Sequence, residues 1–319
     1  MWGSFLLAAF LLFFALRGFN WEFFIISLKN VSYGYLFFIF FWSSFSYFIR
    51  ALRWRILIIS RGDISIADVF WANMTGYLGN NILPARAGEL IRAAYVSKVS
   101  KASATFAIAT GLVERFFDLI FLIILSLISL SFVGGLSELF VRALRIMAFV
   151  AGLGALFIIF TPFVGNWILT KLTSWKWRAS TFQEKILGFL EQFFHGVEAF
   201  HNFRRVFLFT LFTFLIWLMD GLGAVLLAKS LQVSLSLMQS FLFLSMLGIS
   251  SAIPSTPGYV GVYQFVAVTV LQPFGFTREI AIAFALMIQF MNLLVTIFWG
   301  GLGLWVGSRS VVTENKAND

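Results

Sequence analysis

There is no cysteine in this chain of 319 residues, and there are only two histidines. Disulfides, thiolate chemistry and Cys/His metal sites are therefore excluded. Charge is scarce as well: 12% of the residues carry it, about half the roughly 25% of a soluble domain. No stretch is long enough and polar enough to build a separate soluble catalytic domain, and no nucleotide, metal or cofactor motif is visible. What is present is lipid-compatible: 60% hydrophobic residues, 42 of them Phe, and a mean hydropathy of +0.92. The composition predicts an all-α, polytopic membrane helix bundle forming a single integral membrane domain. The net charge of +9 then points to loops facing anionic headgroups, not to nucleic acid.

A membrane-spanning helix needs about 20 apolar residues. The sequence predicts about eight spans, near 2–17, 31–49, 104–132, 143–168, 206–228, 238–253, 257–273 and 279–307. The first is short and lacks a basic segment or a small-residue cleavage site, so it reads as a retained helix, not a signal peptide. The pair 238–253 and 257–273 is separated only by Pro254-Ser-Thr-Pro257-Gly258 and reads as two thin spans or one re-entrant hairpin. Lys and Arg concentrate in 50–101, 169–205 and the tail, which predicts that this side and both termini are cytoplasmic, in the inner (cytoplasmic) membrane.

Two segments of that side are not ordinary loops. Residues 182–203 place Phe182, Ile186, Phe189, Leu190, Phe193, Val197, Phe200 and Phe203 on one helical face, the pattern of an interfacial amphipathic helix. Residues 64–83 are apolar but dotted with Gly and Asn, and basic residues flank both ends. A re-entrant dip fits, since bent backbone at membrane depth requires surrounding protein or a water-filled cavity. The dip and the broken 238–273 pair are candidates for the matching elements of an inverted repeat entering from opposite sides.

Three constellations carry candidate chemistry. The first is Asn81-Ile-Leu-Pro84-Ala-Arg86-Ala-Gly-Glu89-Leu-Ile-Arg92. Pro84 suits a first helical turn, and helical spacing then predicts Arg86, Glu89 and Arg92 along one side. Two guanidiniums tied by one carboxylate form either a fork for a phosphate or a structural salt-bridge ladder. The second is Glu114, Arg115 and Asp118, inside an otherwise apolar run. Each such charge costs about 2.5–3.5 kcal/mol at the centre of a membrane helix. Glu114 lies about 15 Å deep at 1.5 Å per residue. Glu114 and Asp118 share a face, Arg115 reaches Asp118, and Arg86 or Arg92 are the expected partners. The triplet either pins helices together or lines a site, with a carboxylate available to take a proton. The third is Pro254 to Gly261, where Pro254, Pro257, Gly258 and Gly261 break the helix and free backbone groups for an anion, or form a simple kink. Asp220 is expected to be paired inside the bundle, and Gln289 and Asn292 to hydrogen-bond across helices.

These blocks resemble the transmembrane region of the lysylphosphatidylglycerol synthase family, the flippase-like membrane proteins. The matching residues are Asn81…Leu83-Pro84-Ala-Arg86-Ala-Gly88-Glu89…Arg92, then Val113-Glu114-Arg115…Asp118, then Pro254…Pro257-Gly258…Gly261-Val262. The resemblance implies an integral membrane fold with re-entrant elements and a role in handling phospholipids or polyprenyl-linked lipids. The larger synthases carry a soluble aminoacyl-transfer domain after this region. The chain ends at Asp319, so lysine transfer from tRNA is not expected. Relatives usually place an acid after the glycine block, where this chain has Tyr263-Gln264.

The expectation from residues and resemblance together is a lipid flippase or transporter for an anionic phospholipid or polyprenyl-phosphate lipid. The expected substrate-binding residues are Arg86, Glu89, Arg92, Glu114, Arg115, Asp118, Pro254, Pro257, Gly258 and Gly261, with no metal and no cofactor. Its partner would be a membrane lipid. Two alternatives stand beside it: a membrane-embedded headgroup or glycosyl transferase, and a non-catalytic partner of a soluble lipid-modifying enzyme.

Overall fold

The computed structural model describes residues 2–83, 86–133, 181–251 and 256–318, together with isolated positions between 138 and 171. Pro254 and most of the expected span 143–168 lie outside the described residues. The described residues form helices and no strand. They are α1 Trp2–Leu16, α2 Trp21–Lys29, α3 Tyr33–Ile58, α4 Ile66–Ile82, α5 Gly88–Val99, α6 Ala104–Phe132, α7 Thr181–Glu198, α8 Phe203–Ser230, α9 Leu237–Ser250, α10 Val262–Leu271 and α11 Arg278–Asn318. The chain is an all-α polytopic membrane bundle with broken and re-entrant helices. Among the described residues, four helices (α3, α6, α8 and α11 to Val306) are long and apolar enough to cross a membrane. Their outer faces expose Phe37, Phe41, Phe45, Phe207 and Phe290, the inside-out pattern that a lipid solvent permits.

The first apolar run, read as 2–17, is α1 and stops at Leu16: Gly18 takes φ 73°, the Asn20 side chain caps the Phe23 N–H, and α2 leaves α1 at 89°. Other boundaries differ from those read in the sequence. The span expected to end at residue 49 runs on to Ile58. Arg50, Arg53 and Arg55, which composition places in a loop, are therefore helical. The C-terminal part of α7 and the 3-10 turn after it, Ala199–His201, pack on α6, with Phe200 centred 4.7 Å from Phe117 and Val197 buried.

The long helices fix the two ends of the bundle. At one end the start of α3 meets the finish of α8, where the Ser32 N–H donates to the Ser230 carbonyl at 3.1 Å. Arg278, at the start of α11, donates to the Phe14 carbonyl at that end. From the opposite end, α4 and α5 enter as a hairpin. Its two feet are near each other, since a Cβ at Gly62 would sit 3.0 Å from the Ala102 amide nitrogen. Its deep end reaches Thr296, midway along α11, through an Asn81 hydrogen bond of 2.9 Å. The hairpin closes tightly because Gly76, Gly79 and Gly88 let the backbones touch; a Cβ at Gly88 would fall 1.9 Å from the Gly76 carbonyl oxygen. Close packing on small residues is the usual means of joining helices in lipid.

Helices α9 and α10 form a second hairpin entering from the end where α3 begins. Leu231, Leu235, Leu271 and Phe276 join one apolar cluster there. The tips of the two hairpins meet: the Arg86 guanidinium donates to the carbonyl and the hydroxyl of Ser251.

Each half thus runs long helix, short helix, short helix, long helix: α3 to α6, then α8 to α11. The resemblance is detailed. Counting from the N-cap residues Ser32 and Asn202, Tyr47 and Trp217 stand at the same position, as do Arg50 and Asp220. Counting from Ser103 and Thr277, whose hydroxyls accept the amides of Phe106 and Ile280, Asp118 matches Asn292. Tyr47 donates to Asn292 and Trp217 donates to Asp118, so the cross-links repeat as well. The tips read Pro84-x-Arg86-x-Gly88 and Pro257-x-Tyr259-x-Gly261. Arg86 (φ 57°) and Tyr259 (φ 59°) both adopt the left-handed conformation. The two halves enter the bundle in opposite senses.

Candidate functional site

A polar layer fills the middle of the bundle where the two tips meet. It is built from α3 inward. Arg53 is almost fully buried. Its guanidinium donates to Asp118 at 2.6 and 2.9 Å and to Glu114 at 2.8 Å, with Thr213 of α8 as a further acceptor at 3.2 Å. Glu114 and Asp118, one turn apart on α6, present both carboxylates to it. One turn earlier on α3, Arg50 pairs with Asp220 of α8, which also accepts from the Ser46 hydroxyl at 2.8 Å.

The network continues into the first hairpin. Arg92 of α5 donates to Glu114 at 3.1 Å and to the Asn73 side chain of α4 at 3.1 Å. Its guanidinium lies over the Trp54 ring at 4.1 Å, a cation–π contact that helps to offset its desolvation. Glu89 bridges Arg92 (2.9 Å) and Arg115 of α6 (2.7 Å). Gly111 makes room for this bridge, since a Cβ there would meet the Arg92 guanidinium at 2.5 Å.

Arg86, Glu89, Arg92, Glu114, Arg115 and Asp118 therefore share one layer, in a different wiring from that expected. Helix α5 begins at Gly88, so Arg86 sits before it in a left-handed turn and is not on the Glu89–Arg92 face. Glu89 ties Arg92 to Arg115, not to Arg86. Arg115 turns away from Asp118, whose arginine is Arg53. Arg92 is sealed from the exterior, whereas the Arg115 side chain is 38% exposed. Pro257 opens a single 3-10 turn, Pro257–Tyr259. The Gly258 carbonyl accepts from Gln289 at 2.6 Å. Gly261 takes φ 88°, and a Cβ there would collide with the Ala8 carbonyl oxygen at 2.3 Å, so α1 crosses over this tip. Gln264, in the position where relatives were expected to carry an acid, accepts from the Gly261 amide and donates to Gln289.

Sequence reasoning missed Arg53 and Arg50 as members of the layer, because three arginines in six residues look like a cytoplasmic flank. The available signal was their spacing: Arg50 and Arg53 lie one turn apart and so share a helical face. Among the described residues, no group of His, Cys, Asp and Glu is arranged to hold a metal ion.

In charge terms, five guanidiniums (Arg50, Arg53, Arg86, Arg92 and Arg115) face four carboxylates (Glu89, Glu114, Asp118 and Asp220). Each carboxylate is bonded to at least one arginine. Among the described residues, Arg86 is the one of the five whose direct partners are neutral, a carbonyl and a hydroxyl.

Residues 1–300 match the family model described as the lysylphosphatidylglycerol synthase TM region. The chain is 23% identical over 239 residues to a UPF0104 membrane protein of Methanocaldococcus jannaschii, covering 74% of this chain and 97% of that protein. It is 25% identical over 231 residues to a UPF0104 membrane protein of Methanothermobacter thermautotrophicus, covering 66% of this chain and 65% of the relative. No solved structure matches.

Proposed function

The chain belongs to the lysylphosphatidylglycerol synthase transmembrane-region family, and from that premise we propose that it is a lipid translocase. Its substrate is a lipid whose headgroup carries a phosphate: a phospholipid or a polyprenyl-phosphate lipid. The observation that carries this reading is Arg86, whose direct partners among the described residues are neutral, where two opposed hairpin tips meet. A half-buried guanidinium bonded directly only to a carbonyl and a hydroxyl keeps donors for a stronger acceptor, and a phosphate oxygen supplies a charge-assisted, paired one. Arg115, partly exposed beside Glu89, is the second phosphate donor. Arg92 and Arg53 are structural supports in this reading, replacing the Arg86–Arg92 fork.

The inverted arrangement of the two halves supports translocation over catalysis. Broken helices at mid-depth, related by opposite orientation, are how membrane carriers present one site to both sides in turn. We place the molecule in the cytoplasmic membrane with both termini inside. Once Arg50, Arg53, Arg86 and Arg92 are counted in the polar layer, twelve Lys and Arg remain on the side of 50–101, 169–205 and the tail, against six on the other. The positive-inside bias is retained.

The test is reconstitution in phosphatidylcholine vesicles with fluorescent, acyl-labelled phosphatidylglycerol, following its loss from the outer leaflet by dithionite quenching. Arg86→Ala and Arg115→Ala should each slow movement by about ten- to a hundredfold, from charge-assisted bonds worth about 1.5–3 kcal/mol. Unchanged rates in both variants would overturn the assignment.

A further inference from the structure

The two halves match in shape and differ in charge. Arg115 on α6 corresponds to Gln289 on α11, Asp118 to Asn292, and Arg86 of the first tip to Tyr259 of the second. The first half carries the arginine–carboxylate network. Apart from Asp220, which Arg50 neutralises, the second presents neutral groups at the tip: Gln264 donates to Gln289 at 2.6 Å, Gln289 donates to Gly258, and Tyr47 donates to Asn292. Tyr259 and Tyr263 stack with centroids 5.0 Å apart and planes within 9°, and both are only partly buried. Arg86 reaches the second tip through its bonds to the Ser251 carbonyl and hydroxyl. The layer, with five guanidiniums to four carboxylates, thus keeps a net positive charge beside an uncharged wall of hydroxyls, amides and ring faces.

This arrangement discriminates among headgroups. Among the described residues, every carboxylate of the layer is already bonded to an arginine. An ammonium carried beyond the phosphate finds no free acid and sits near Arg86, so it loses its water without gaining a counter-ion. A neutral polyol meets no such cost. Its hydroxyls exchange water for phenol and amide partners, and its C–H face packs on the tyrosine ring.

We infer that the site selects phospholipids whose headgroup beyond the phosphate is an uncharged polyol, such as glycerol, inositol or a hexose, and rejects amine-bearing headgroups. This rests on the translocase reading and adds its substrate class. Phosphate is held by Arg86 and Arg115, and the polyol is read by Tyr259, Tyr263 and Gln289.

The experiment compares acyl-labelled phosphatidylglycerol, phosphatidylethanolamine and lysyl-phosphatidylglycerol in phosphatidylcholine proteoliposomes. Phosphatidylglycerol should move faster than either amine-bearing lipid by about tenfold or more, a difference of roughly 1.4 kcal/mol. Ser251→Asp gives Arg86 a directly bonded carboxylate and should bring that ratio close to one. Tyr263→Leu, which leaves the charges alone, should slow phosphatidylglycerol more than the amine-bearing lipids and so lower the ratio. Equal rates for the three lipids in the wild-type protein would overturn the selectivity and leave translocation standing. No movement of any lipid would overturn both. A ratio unchanged in both variants would show that other groups set the preference.

Discussion

Arg50 on α3 and Asp220 on α8 occupy the same position of two corresponding helices, and they pair with each other. A residue near the axis that relates two halves meets its own counterpart. Like charges there would repel, and opposite charges lock the halves together. Either single reversal, Arg50→Asp or Asp220→Arg, should destabilise the protein by about 1.5–3 kcal/mol, the scale of a hydrogen-bonded charge. Because the positions are equivalent, the swap of both should recover most of that loss. A double-mutant cycle on apparent melting temperature in detergent measures it. A swap no better than the sum of the single changes would show that the positions are not interchangeable.

Arg53 holds two carboxylates, so its removal leaves Glu114 and Asp118 sharing what remains of the network. Arg53→Met should cost about 3–5 kcal/mol, the range for breaking a buried pair from one side. Adding Glu114→Gln and Asp118→Asn to Arg53→Met should restore folding in part, since no bare charge then remains. Thermal unfolding in detergent decides this. A triple variant as unstable as Arg53→Met alone would mean that packing, not charge, sets the cost.

Much of this architecture is legible in the sequence where apolar runs are long. Helix α6 begins and ends where its hydropathy says, and Glu114, Arg115 and Asp118 announce the polar layer because charge inside such a run is expensive. The wiring was not legible. Whether Arg115 faces Asp118 or Glu89 depends on how α5 packs against α6, which a one-dimensional spacing does not encode. Arg53 was hidden by chemistry of the same kind: an arginine at a span's end looks identical whether it contacts lipid headgroups or turns inward to two acids. The left-handed Arg86 had no signal either, because the spacing from Pro84 fits a helical start equally well until the Gly88 contact with α4 is seen.

Two glycines in the site region separate folding from function. At Gly88 an added Cβ meets backbone, the Gly76 carbonyl oxygen at 1.9 Å, so Gly88→Ala must force α4 and α5 apart. A loss of about 3 kcal/mol or more is expected, with poor recovery of folded protein. At Gly111 the added Cβ meets a side chain, the Arg92 guanidinium at 2.5 Å, which can shift. Gly111→Ala should therefore fold, with a smaller drop in melting temperature, while the displaced Arg92 disturbs Glu89 and Arg115 and slows lipid movement. Size-exclusion recovery and the vesicle assay, run on both variants, distinguish them. A Gly111→Ala protein with wild-type transport would separate the Arg92–Glu89 bridge from function.

A chain without cysteine allows the hydration of the layer to be read one position at a time, since any introduced thiol is the only one present. Tyr259 is partly exposed at the second tip, Thr110 is fully buried beside Trp54, and Lys98 is exposed at the outer end of α5. If water reaches the meeting point of the tips, Tyr259→Cys should react with a charged methanethiosulfonate reagent within about tenfold of Lys98→Cys, because attack requires the solvated thiolate. Thr110→Cys should remain unmodified in the folded protein. Excess short-chain phosphatidylglycerol should then protect Tyr259→Cys and leave Lys98→Cys unaffected. A Tyr259 position as inert as Thr110 would mean that the tips enclose a dry knot of charges. The phosphate proposed for Arg86 would then have no route to it.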